Sequence, residues 1–136
     1  MDAVDRTLAL WRSTPFTWGG VLPHRPGYGD CLLSIGEYLA NQGASDVTER
    51  FRGTYSDEAG ALAHVATAGG CAALIDLTGL PRTHTPLRGD VVVLDTGDGL
   101  EVGALCTGDG IAARLARGVI EVDKRFLRIP HAWRVA

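Results

Sequence analysis

Cys31 follows Asp30 at the head of an apolar-striped segment, and no other residue in the chain is better placed for chemistry. A thiol in the first turn of a helix lies beside unsatisfied backbone N–H groups at the positive end of the helix dipole, which favours the thiolate and so nucleophilic attack. Asp30 pulls the other way, because a neighbouring carboxylate opposes a second negative charge unless it is committed to capping the helix. The commoner fate of a cysteine is to be a small buried apolar side chain. Cys71 and Cys106, on apolar segments, read as such fillers. The three cysteines lie far apart with no Cys-x-x-Cys pair, which suggests neither a disulfide framework nor a zinc site.

A nucleophilic cysteine needs a base within hydrogen-bond reach. The chain has four histidines. His24, in the loop just ahead of Cys31, is the candidate substitute base, although a loop tip holds such a group loosely. His64 sits on a helical segment, His84 lies between Pro81 and Pro86, and His131 precedes the last strand. No His-x-x-x-His pair occurs, and Asp95, Asp98 and Glu101 resemble a hairpin turn more than a calcium loop, so neither a metal nor a cofactor is expected. Trp11, Phe16, Trp18 and the stretch Arg52-Gly53-Thr54-Tyr55 could line a groove, with packing as the more ordinary role for the aromatic group.

The elements that must hold these residues can be read from periodicity. Val4, Leu8 and Trp11 recur at helical spacing over Asp2 to Arg12. Pro15 to Gly29 is too rich in proline and glycine for a regular element. Asp30 is a good N-cap, Leu32, Ile35 and Leu39 form an apolar stripe to about Asn41, and Gly43 is the stop. A short helix is expected over Asp46 to Phe51 and another from Asp57 and Glu58 to Gly69-Gly70. Cys71 to Leu77 reads as a last helical piece. Beyond Gly89 come short β-prone runs, Val91 to Leu94, Val102 to Cys106, Ile111 to Leu115, Val119 to Val122 and Ala132 to Val135, separated by turn sequences. Helices first and hairpin-linked strands second predict an α+β fold, with N-terminal helices (about 1–78) packed on a small C-terminal antiparallel sheet (about 88–136).

At 136 residues with 46% hydrophobic content the chain fits one domain, 1–136. A net charge of −3 without a Lys/Arg block argues against nucleic acid as a partner. No segment approaches the roughly 20 apolar residues of a membrane span, and Met1-Asp2-Ala3-Val4-Asp5 is acidic where a signal peptide is basic. The sequence thus reads as a soluble protein made in the cytoplasm.

Phe16-Thr17-Trp18-Gly19-Gly20, then Gly29-Asp30-Cys31 opening a helix, then Arg88-Gly89-Asp90-Val91-Val92-Val93, resemble in order and spacing the nucleophile region and first core strand of NlpC-type papain-like cell-wall peptidases. Together with Ala132-Trp133-Arg134-Val135 they also resemble a small phage-associated domain family of unknown function. The resemblance covers about Trp11 to Val122. It implies a papain-like fold with Cys31 at the nucleophile position and a cleft bordered by Trp18 and Asp30. The departures fall on the chemistry. Glu101, in Glu101-Val102-Gly103-Ala104-Leu105, stands where that family has its catalytic histidine. Ile111-Ala112-Ala113 offers no polar residue to orient an imidazole, and Leu32-Leu33 replace the usual Ser-Gly. A carboxylate cannot form the thiolate–imidazolium pair. The resemblance therefore implies a catalytically degenerate structural protein of a phage tail tip, made in the host cytoplasm and carried in the virion, with the tail hub and distal tail proteins as partners. The alternative is an active cysteine peptidase or amidase that cuts peptidoglycan during infection, with Cys31 as nucleophile and His24 or His131 as base. A small-ligand binder in the old cleft is a third reading.

Overall fold

A computed structural model describes residues 1–135, so position 136, the end of the expected domain, lies outside the described residues. Four helices, α1 (Ala3–Ser13), α2 (Cys31–Asn41), α3 (Glu58–Thr67) and α4 (Cys71–Asp76), precede five strands, β1 (Val91–Asp95), β2 (Glu101–Cys106), β3 (Gly110–Leu115), β4 (Gly118–Asp123) and β5 (His131–Trp133). The strands form one antiparallel sheet in the order β4-β3-β2-β1-β5. The architecture is the expected α+β arrangement.

Three helices begin where an aspartate can bind their free N–H groups. Asp2 accepts from Asp5, Asp30 from Leu32 and Leu33, and Asp57 from Gly60. The helix expected over Asp46 to Phe51 shrinks to a 3₁₀ turn at Glu49–Phe51. Asp46 turns its carboxylate back on the Thr48 N–H (2.9 Å) and hydroxyl (2.7 Å), a local closure that competes with helix formation.

The centre of the sheet is buried on both faces, while the edge strand β4 is largely exposed. Val91, Val93, Leu105, Ala112 and Trp133 meet α1, α2 and α4 through Val4, Leu8, Trp11, Ile35, Leu39 and Ile75. On the other face Val92, Ala104, Cys106 and Ile111 are covered by Leu127 and Ile129. Those two residues lie between β4 and β5, which are the outermost strands. Four strand spacings separate these edges, about 19 Å. The seven residues 124–130 can span at most about 23 Å. The connection opens on a 3₁₀ turn at Lys124–Phe126 and then crosses the back of the sheet, where Asp95 donates its N–H to the Arg128 carbonyl at 3.3 Å.

The Arg88-Gly89-Asp90 motif ties the helical half to this sheet. Arg88 donates to Asp2 (2.8 Å) and Asp5 (2.9 Å) at the start of α1. Gly89 accepts from the Tyr38 hydroxyl of α2 (2.6 Å). Asp90, 1% exposed, accepts from Arg134 (2.8 Å), Val135 and Leu87. The register also opens a gap. β1 and β2 pair at five positions from Asp95↔Glu101 to Val91↔Leu105, whereas β2 and β3 pair only at Leu105↔Ala112 and Cys106↔Ile111, next to their turn. Beyond that point the two strands diverge.

Candidate functional site

A cavity of about 300 Å³ opens where β2 and β3 part. Phe16 and Trp18 of the Pro15–Gly29 loop form one wall, in edge-to-face contact at 4.9 Å. Ala61, Leu62 and Val65 of α3 form another. Glu101, Val102 and Gly103 of β2 face Leu115, Ala116 and Arg117 at the end of β3. Cys31 and Cys71, the first residues of α2 and α4, both line the cavity.

Asp30 shapes the Cys31 end. Its carboxylate is fully buried and satisfied on both oxygens. Oδ1 accepts from Leu32 and Leu33 (2.9 Å each), and Oδ2 from the Gly19 N–H (2.9 Å) and the Tyr55 hydroxyl. Gly19 has φ +78° and a Cβ there would strike the Tyr55 carbonyl, so Trp18-Gly19-Gly20 can take this path only with glycine. Burial, then the Asp30 charge, pushes the Cys31 thiol up to about 12, so the neighbouring dipole does not win and the thiol stays protonated at neutral pH. Burial together with donation to Asp30 likewise raises the Tyr55 phenol.

Glu101 does not act on Cys31 in the way its place in the sequence suggests. Its Oε1 accepts the Cys71 N–H at 3.3 Å, capping α4, whose own N-cap residue is Gly70 and has no side chain to offer. Burial, then the Glu101 charge, pushes the Cys71 thiol up to about 11. Cys71 was expected to be an inert filler; it is buried, but it belongs to the cleft. The clue was its place after Gly69-Gly70, the head of a second helix.

His24, the candidate substitute base, points elsewhere: its Nε2 lies 2.7 Å from Glu37 on α2. Glu37 also accepts the Gly27 N–H (2.9 Å), so this pair fastens the Pro15–Gly29 loop and leaves the thiol without it. His64 bonds Thr54 at 2.9 Å and stacks on Phe51, and His131 lies 2.6 Å from Arg82. None of the four histidines lines the Cys31 cavity. Trp18 lines the cavity, Asp30 is fully buried and is not among the lining residues, and Trp11 is a core residue.

Two buried arginines carry the loop. Arg114 of β3, 2% exposed, donates to the Gly27 and Thr14 carbonyls and to Ser34 and Thr14 hydroxyls. Arg52 donates to the Tyr28 carbonyl at 2.9 Å. A lone arginine in a strand pattern gives no sign that it turns inward, which is why Arg114 escaped the sequence reading. Among the described residues no three His, Cys, Asp or Glu side chains converge to hold a metal, and no helix is long and apolar enough to cross a membrane.

The cleft can thus seat an apolar group between aromatic and aliphatic walls, with carboxylates and one guanidinium among its lining. No imidazole is among its lining residues. The model of one family, described as a domain of unknown function (DUF6950), matches residues 2–135. No curated protein matches the chain.

Proposed function

The chain belongs to the DUF6950 family, and since that description assigns no chemistry, we propose a function from the cleft: a catalytically degenerate, papain-like structural protein whose former active-site cleft serves as a contact surface. The proposed setting is the tip of a phage tail, beside hub and distal tail proteins. This setting rests on the resemblance of Phe16 to Gly20, Asp30-Cys31 and Arg88 to Val93 to NlpC-type peptidases and their phage-associated relatives.

One observation carries the non-catalytic part. The cavity that holds Cys31 contains a second protonated thiol and a carboxylate occupied in capping a helix, where peptide cleavage needs an imidazole. Cys31 should react with iodoacetamide at pH 7.5 about tenfold or more slowly than free cysteine, because only the thiolate attacks. Muropeptides should remain uncut. Fast alkylation with cleavage that disappears in Cys31→Ala would overturn the proposal in favour of the peptidase. For the structural role, particles produced without the protein should fail in tail assembly or host adsorption, and unaltered particles would refute it.

A further inference from the structure

We propose that the occupant of the cleft is an extended segment of a partner protein that adds to the open edge of β2, inserts an apolar side chain into the cavity and places a lysine or arginine against Glu58 and Glu101. This rests on the reading of the cleft as a contact surface and names what it contacts.

The backbone argument comes from the register. Cys106 donates to the Asp90 carbonyl and accepts from the Gly89 N–H, both 2.8 Å, so its backbone groups point toward β1. Hydrogen-bonding direction alternates along an antiparallel strand, so Leu105, Gly103 and Glu101 point theirs toward β3. β3 meets Leu105 but has left the ladder at Gly103 and Glu101; the Glu101 carbonyl accepts from the Cys71 thiol at 3.9 Å, and the edge is open at Gly103. Gly103 lines the cavity, and its missing side chain is on the α2 side, where a Cβ would meet Ile35 at 3.4 Å. An unpaired strand edge is the element that binds extended peptides by strand addition.

The cavity and its charges say what the segment carries. Phe16, Trp18, Leu62, Val65, Val102 and Leu115 make the walls, and about 300 Å³ lies at the small end of the range for ligand pockets, suited to one bulky side chain. Leu62 and Leu100 are 39% and 38% exposed, large apolar groups left at the mouth. Glu58, Glu101 and Arg117 line the same cavity, and none of them enters a salt bridge among the described residues. Two carboxylates against one guanidinium leave an excess of negative charge, which a basic residue complements.

The test uses the full chain, ¹⁵N-labelled, titrated with two acetylated and amidated peptides, Gly-Val-Trp-Lys-Gly and Gly-Val-Trp-Glu-Gly. The expected result is amide shifts confined to Val102, Gly103, Leu115 and their cleft neighbours, with the lysine peptide about threefold to fivefold tighter, the upper part of the range for an exposed ion pair. That preference should shrink in 0.5 M NaCl and in Glu58→Gln, an exposed position outside the core. N-methylation of the tryptophan amide should weaken binding, and undiminished binding would overturn the strand addition. Shifts elsewhere, no binding, or equal binding of the two peptides would overturn the inference while leaving the non-catalytic reading intact. Cleavage of muropeptides would defeat that reading independently.

Discussion

Asp30, more than Cys31, governs the chemistry of this site. One buried carboxylate satisfies two N–H groups of α2, one from Gly19 and the Tyr55 hydroxyl, joining the loop, α2 and the chain ahead of α3. The price is the thiolate, since the same charge helps keep Cys31 protonated. Removing it in Asp30→Ala leaves an uncapped helix and orphaned buried donors, so stability should fall by about 3 kcal/mol or more. Asp30→Asn should cost less, because the amide can still cap α2 but then presents N–H to the Gly19 N–H. Chemical denaturation measures both, and an alanine variant within about 1 kcal/mol of the parent would refute the account. The Asp30-Cys31 pair was legible in the sequence because N-capping is decided within three residues. The partner of Glu101 was not legible, because the helix it caps is thirty positions away along the chain.

At the scale of elements, the site depends on how the Pro15–Gly29 loop is held. Its composition announced an irregular segment but not its restraints, which come from α2 through Glu37, from the 3₁₀ turn region through Arg52 and from β3 through Arg114. Arg114→Leu should leave the Thr14 carbonyl without its arginine donor and the Gly27 carbonyl with only the Thr14 hydroxyl (3.0 Å), and destabilise the protein by on the order of 3 kcal/mol. Hydrogen exchange should quicken over residues 14–29 well before β1 changes. If protection in the loop is unaltered, Arg114 does not hold it. The helices and strands themselves were readable, since a 3.6-residue or two-residue apolar period follows directly from which side must be buried. The Asp46 segment went the other way because a side-chain turn satisfied its backbone first.

For the molecule as a whole, four acidic groups share one response to burial. Cys31 and Cys71 are pushed up to about 12 and 11, Tyr38 to about 12, and Tyr55 is raised as well. Each stays neutral in the fold at a pH where the unfolded chain has already released its proton. The native state then binds more protons, so the contribution of these groups to stability is complete below about pH 9 and declines from there toward pH 12. The melting temperature should drop steadily from pH 9 to 11, and Cys31→Ala with Cys71→Ala should flatten the first part of that decline. A melting temperature unchanged to pH 11 would show that these groups are not held neutral.

Helix starts, the order of helices before strands and the Asp30 cap beside Cys31 all follow from residues close together in the chain, where capping, periodicity and turn chemistry act over a few positions. The meeting of Cys31 with Cys71, the inward turn of Arg114, the capture of His24 by Glu37 and the parting of β2 from β3 arise between segments far apart in sequence. Packing chooses those pairings, because the free energy of burying a face is shared by every residue on it and so leaves no mark on any single one.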